Sequence, residues 1–237
     1  MTIDAVIFDW GGTLTPWHRI DHLQGWRAYA GALHAGDPQL AERVATALHA
    51  AEVARWSAAR DERRAFRTEQ VLADAGVPWH EPGIAAYREY WTPYTRTDPE
   101  AGPLLAALRL RGLRVGVLSS TPWPPEWHLE ILRRDGVLDA MHGTVWSSSL
   151  EWTKPHAEAF TTAMAAVAAE DPRRCVYVGD RMYDDVYGAS LLGMRTVFLP
   201  HSDIPPGDQL PVQATPDAVV QSLAGVLDVV DGWLGAA

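Results

Sequence analysis

Cysteine is almost missing from this chain of 237 residues: Cys175 stands alone. That excludes a disulfide framework and fits a reducing compartment, so a cytoplasmic protein is expected. Long apolar runs are missing as well. No stretch approaches the roughly 18 consecutive apolar residues that a membrane span needs, and the opening MTIDAVIFDW has no basic region ahead of a long apolar one. Neither a membrane segment nor a signal peptide is expected. Positive charge is scarce: 20 Lys and Arg against 30 Asp and Glu give a formal charge of -10, and no basic cluster exceeds the one at residues 60–67. A phosphate backbone would be repelled, so nucleic acid is not an expected ligand. Lysine is the rarest of the basic residues, since 19 of the 20 are Arg and Lys154 is the exception. In a chain that uses Arg so freely, Lys154 marks a place where a compact ammonium on a flexible stem is not equivalent to a broad guanidinium fork. Internal repeats and low-complexity tracts are also absent.

What is present is an ordinary globular composition, 47% hydrophobic and 21% charged, long enough for one large domain or a core with an insert. The chain is organised around residues 5–15, AVIFDWGGTLT. The apolar run Ala5, Val6, Ile7 and Phe8 reads as a buried strand, and Asp9 with Gly11 and Gly12 reads as a tight loop at its carboxyl end. Residues 16–98 change character, being rich in Ala, Arg, Glu, Leu and Trp. Helices are expected at 22–33, 38–59, 64–75 and 81–94. The second has Asp37 as N-cap, Pro38 at its first position, and Leu40, Val44 and Leu48 along one face. A segment this long is not a loop; it reads as a helical domain or lid inserted after the first strand.

From Pro99 onward helix and strand alternate. Helices are expected at 104–111, 126–134, 156–169, 184–192 and 216–234, strands at 113–118, 144–146, 175–178 and 195–199, and a surface loop at 204–216. The pattern implies an α/β fold, a Rossmann-like parallel sheet flanked by helices. In such a sheet the carboxyl ends of the strands share one edge, where ligands bind. Asp9, Ser119 with Ser120, and Asp180 all fall at strand ends, with Lys154 at a loop-to-helix junction. Asp9, Asp180, Asp184 and Asp185 gathered there would repel unless a hard cation sat among them. An all-oxygen donor set suggests Mg2+, while Lys154 and the serine hydroxyls suit a phosphate.

These segments resemble the haloacid dehalogenase superfamily, whose four motifs match in order: Asp9-Trp10-Gly11-Gly12-Thr13, the strand Val115-Gly116-Val117-Leu118-Ser119, Lys154-Pro155, and Gly179-Asp180 through Asp185. Four motifs in order, with an insert after the first, form a specific signal. The insert's position resembles the helical cap of the family's first subclass, giving a core of residues 1–15 and 99–237 and a cap of residues 16–98. The resemblance implies a hydrolase of phosphatase type acting on a small phosphorylated metabolite, as a monomer or homodimer. Asp9 would be the nucleophile, with Ser119 and Lys154 holding the transferring phosphoryl group. Gly11, Gly12, Thr13 and Ser120 would assist in phosphate binding. Asp9, the Gly11 carbonyl, Asp180 and Asp185 would form the Mg2+ site; Asp184 fits a shorter spacing, but the residues after Asp185 favour the latter.

One departure matters. The family's second motif-one Asp, which protonates the leaving group, is here Gly11. A positioned acid or base contributes about 10²- to 10⁴-fold in rate, so good leaving groups, another acid, a weakened enzyme or a phospho-ligand or protein binding module are all compatible with it. Halide displacement is disfavoured by the retained Asp180 and Asp185, and a Schiff-base mechanism by a cap without Lys. His18 and His22 at the cap entrance either replace the acid or form a solvated helix start, and His156 beside Lys154 is open in the same way. Trp10, Trp17, Trp123, Trp127 and Trp152 flank the motifs, with packing favoured over pocket lining.

Overall fold

Ala5–Phe8 form β1, and all four residues are buried because the strand is paired on both sides. The structure, a computed structural model, describes residues 2–200, 204–205 and 209–235. After β1 come α1 (His22–Leu33), α2 (Pro38–Glu62), α3 (Thr68–Asp74) and α4 (Glu81–Trp91). Then follow α5 (Ala101–Leu110), β2 (Arg114–Ser119), α6 (Pro125–Arg134), β3 (Gly143–Trp146), α7 (Ala157–Ala166) and β4 (Cys175–Gly179). The chain continues through α8 (Gly188–Ser190), β5 (Arg195–Phe198), β6 (Ala218–Val219) and α9 (Ala224–Gly235).

The strands form one parallel sheet in the order β3-β2-β1-β4-β5-β6. The chain leaves β1 on one side to build β2 and β3, then returns to the other side for β4, so the switch point lies at β1. Alternate residues of each strand face opposite layers. Val6, Phe8, Val115, Val117, Val176 and Val178 pack into the layer that includes α5 and α9. Ala5, Ile7, Leu118 and Tyr177 face α7, chiefly Phe160 and Met164. This is the two-sided burial that a parallel sheet requires.

Several expected elements are corrected. The segment 64–75 is helical only from Thr68, because Ala65 N donates to Glu151 O (2.9 Å) and Arg67 Nε to Ser148 O (2.8 Å), tying an extended strip to the core. The helix at 81–94 ends at Trp91 and tightens into a single 3₁₀ turn, Thr92–Thr95, where Pro93 supplies no backbone N–H. The helix expected at 184–192 is a π-helical turn, Met182–Tyr187, followed by the short α8. The segment 216–234 is not one helix: Asp217 Oδ2 accepts from Thr196 N at 2.8 Å and draws Ala218–Val219 onto the sheet as a sixth strand. Of the expected loop at 204–216, residues 206–208 lie outside the described residues.

Helices α1, α2 and α4 pack around Trp26, Tyr29, Leu48 and Tyr87, all within 1% of complete burial. Asp21 and Asp37 cap α1 and α2 through bonds to Leu23 N (3.1 Å) and Leu40 N (2.9 Å), as the residue types favour. Besides the strip at residues 63–68, an Arg88–Glu130 ion pair joins these helices to the core. No helix among the described residues is long and apolar enough to cross a membrane.

Candidate active site

β1 delivers Asp9 to the carboxyl edge, and its backbone N–H donates to Val178 O at 2.8 Å, pinning it between β2 and β4. Immediately beyond, Thr13 N (3.3 Å) and Thr15 N (2.9 Å) both donate to Trp10 O, closing a tight loop. Gly12 is required there: its φ is +82°, and a Cβ would lie 2.6 Å from Asp180 Oδ2. Gly11 is different, because a Cβ there would meet nothing within 4 Å. Unlike at Gly12, space at the backbone does not impose glycine at position 11.

Lys154 is the hub. Its Nζ lies 2.9 Å from Asp9 Oδ1 and 2.6 Å from Asp185 Oδ1, and donates to Tyr177 OH at 3.2 Å. Tyr177 passes the chain on, donating to Leu118 O at 2.9 Å, one residue before Ser119. Burial opposes the ammonium charge, yet the Asp185 and Asp9 carboxylates raise the Lys154 pKa well above its ordinary value. Asp185 is fully buried, its Oδ2 accepting from Arg181 N at 2.9 Å. That bond folds its side chain back to the start of the π-helical turn, a form of helix found often at functional sites. A Cβ at Gly179 would fall 2.3 Å from Asp185 Cγ, so this approach depends on glycine.

Asp9, Asp180 and Asp185 place carboxylate oxygens within 4.8 Å of one another, and Asp184 is not in that group. Burial, reinforced by the Asp9 and Asp185 charges, pushes the Asp180 pKa up; burial pushes Asp185 to about 7 despite Lys154. Both Asp180 carboxylate oxygens are buried without a hydrogen-bond partner, with Arg181 Nε 3.5 Å away. Orphaned oxygens in a hard, all-carboxylate set are the environment a divalent cation relieves, so the residues fit a metal such as Mg2+.

These groups open into a cavity of about 1330 Å³ lined by Asp9, Gly11, Gly12, Ser119, Ser120, Lys154 and Asp180. Ser119 is 4% exposed, and its hydroxyl makes no bond to the described residues. Ser120 Oγ accepts from Thr153 Oγ1 at 2.7 Å. Thr13 is not on the cavity wall, and its hydroxyl is buried without a partner. His18 and His22 are on the wall, His18 against Tyr94 and His22 with Nδ1 3.7 Å from Glu52 Oε2. His156 is not: it caps α7 and stacks on Trp152, with centroids 4.3 Å apart. The tryptophans divide, Trp10, Trp17 and Trp123 lining the cavity while Trp127 and Trp152 pack elsewhere against Arg88 and Arg64.

The motifs do not point to Tyr177, Arg181 or the far wall formed by Glu52, Trp56, Tyr87 and Trp91. A phenol in the otherwise apolar strand CVYVG was one available signal. Another was Glu52, which continues the four-residue series Leu40, Val44, Leu48 along α2.

A family model described as haloacid dehalogenase-like hydrolase matches residues 3–193. The curated glyceraldehyde 3-phosphate phosphatase of Pyrococcus furiosus is 31% identical over 154 residues, 65% of this chain and 62% of that protein. A second, from Pyrococcus abyssi, is 35% identical over 51% of this chain. The chain thus spans less than two thirds of these two relatives, 62% and 49%. The phosphatase of that name from Methanopyrus kandleri is 27% identical over 96% of this chain and 97% of its own length. Among solved structures, a HAD phosphatase from Thermococcus onnurineus superposes with a TM-score of 0.69 at 19% identity, covering 97% of this chain and 99% of its own. L-2-haloacid dehalogenase from Xanthobacter autotrophicus gives 0.64 at 18%, covering 98% and 99%. At those identities the superpositions establish the fold alone.

Proposed function

Because this chain belongs to the haloacid dehalogenase-like hydrolases, we propose that it is a Mg2+-dependent phosphomonoester hydrolase of the cytoplasm, acting on a small phosphorylated metabolite through Asp9. The observation that carries this reading is the buried Asp9–Lys154–Asp185 array beside the orphaned Asp180 carboxylate. Lys154 holds Asp9 oriented at the cavity floor. The Asp9 carboxylate attacks phosphorus as the ester P–O bond breaks, giving an aspartyl-phosphate and the alcohol's oxyanion. Water then attacks phosphorus, releasing inorganic phosphate and restoring Asp9. Ser119 Oγ donates to a phosphoryl oxygen, and the Lys154 charge offsets the negative charge of the transferring group. Asp9, Asp180 and the Gly11 carbonyl would hold Mg2+, with Asp185 behind them, and the bound ion supplies further charge neutralisation at the phosphoryl oxygens.

The leaving oxyanion finds no carboxylic acid at position 11 and takes its proton from solvent. Residues 16–98 act as a cap domain over the core of residues 1–15 and 99–237, with α1, α2 and α4 excluding bulk water from the phosphorylated Asp9. The names of the curated relatives, and the retained Asp180 and Asp185, support phosphoryl transfer over halide displacement. The test is turnover of a panel of phosphate esters with Mg2+ and with chelator. Turnover that requires the metal and disappears in Asp9→Asn supports the proposal; equal turnover by Asp9→Asn overturns it.

A further inference from the structure

The cavity's far wall carries a charge that the phosphoryl chemistry does not use. Along α2, His49, Glu52, Val53, Trp56 and Arg60 line the cavity at helical spacing. His49 is half-buried and Arg60 exposed, whereas Glu52 is only 4% exposed. Its Oε2 accepts from Trp26 Nε1 at 2.8 Å and lies 3.7 Å from His22 Nδ1. Oε1 has no hydrogen-bond partner, and no Lys or Arg pairs with the carboxylate, among the described residues. Around it Tyr87, Trp91 and Trp123 present rings to the same space, Trp91 and Trp123 with centroids 5.1 Å apart.

A buried carboxylate is costly unless its oxygens are bonded. Satisfying the Trp26 indole requires only an acceptor, which a neutral glutamine would provide. A half-satisfied charge facing a ligand cavity instead has its partner in the ligand.

Resting on the hydrolase reading above, we propose that Glu52 is a specificity residue: it accepts a hydrogen bond from a hydroxyl or ammonium group on the part of the substrate remote from phosphate. The substrate class is therefore a hydroxyalkyl or aminoalkyl phosphate rather than a plain alkyl ester. The two donors are distinguished by the ring wall, which adds attraction only for the cation.

The experiment measures kcat/KM of the full chain on alkyl phosphates of two to four carbons ending in methyl, hydroxyl or ammonium, with p-nitrophenyl phosphate as a generic ester. The donor-ended esters exceed the methyl-ended one by about 10- to 100-fold, the scale of a hydrogen bond to a charged group. A larger ratio for ammonium assigns the aminoalkyl class, and an equal or larger one for hydroxyl assigns the hydroxyalkyl class; both support the proposal. In Glu52→Gln the ratio collapses toward one, chiefly through KM. A residue that merely holds Trp26 in place would slow every ester alike and keep the ratio, which overturns the proposal. If Glu52→Gln does not fold, the wild-type ratio decides alone. Three equal rates, with p-nitrophenyl phosphate hydrolysed in an Asp9-dependent manner, overturn the role of Glu52 and leave the hydrolase reading standing. No Asp9-dependent turnover of any ester overturns both.

Discussion

The floor and the far wall of one cavity are built on different principles. On the floor, Asp9 and Asp180 follow the ends of β1 and β4, Lys154 pairs with Asp9 and Asp185, and glycines stand where a Cβ would collide with carboxylates. On the wall, α2 and α4 supply rings and one carboxylate, and their positions follow from how helices pack around Trp26 and Tyr87. On the floor several charges share one buried space around the Lys154 ammonium, so loss of that cation is costly. The wall offers a surface whose side chains can change without disturbing that array. On the reading proposed here, chemistry is fixed in the first region and selection is left to the second.

The largest test of that division is Asp9→Asn, which removes the proposed nucleophile while leaving the wall intact. A loss of roughly 10⁴- to 10⁶-fold in kcat is expected, as for other covalent catalysts, with little change in thermal stability. Gly11→Asp should work in the opposite direction. A Cβ there meets nothing within 4 Å, and a positioned acid should raise turnover of esters with poor leaving groups by about 10²- to 10⁴-fold. Activated aryl esters should gain much less, so the ratio of the two rates reads out the added acid.

Lys154→Met carries the comparison from activity to stability. It leaves Asp9 and Asp185 facing each other without their cation, and breaking a buried pair in this way costs about 3–5 kcal/mol, measurable by urea unfolding. The same exchange at Arg60, exposed on the wall, should change stability by no more than about 0.5 kcal/mol.

A further effect concerns His128, behind the cavity lining at Trp10 and Trp123. It is fully buried, stacks on Trp146 with centroids 4.0 Å apart, and its Nε2 lies 3.0 Å from Thr121 Oγ1. Burial pushes its pKa down to about 3. The folded protein thus keeps the ring neutral while the unfolded chain protonates it below about 6.5. Stability from this group is fully present above that pH and declines as pH falls from about 6.5 toward 3. By pH 5 the loss is roughly 2 kcal/mol. His128→Gln should flatten that part of the stability-against-pH curve, and an unchanged slope would remove His128 as its source.

Much of the floor was legible in the sequence because its signals are local. An apolar run ending in an acid and a glycine-acid pair closing another apolar run each name a strand end, a lone lysine marks the junction between them, and a parallel sheet brings such ends together. Asp185 was distinguishable from Asp184 by the residues that follow it, and the structure groups it with Asp9 and Asp180. The wall was less legible because its residues meet only through tertiary packing of helices far apart in the chain. Tyr177 was hidden in the same way, as one ring in a buried strand whose hydroxyl finds Lys154 only after folding. The sixth strand escaped notice because Ala218–Val219 is held by Asp217 reaching Thr196, a contact that no periodicity announces.

Covalent chemistry at Asp9 is the central step proposed, and rapid acid quench with mass spectrometry examines it directly. With Mg2+ and an excess of enzyme over a hydrolysed ester, a phosphoryl adduct on Asp9 should form and decay at rates that account for turnover, and should be missing from Asp9→Asn. Turnover with no adduct, and with Asp9→Asn still active, would contradict the account.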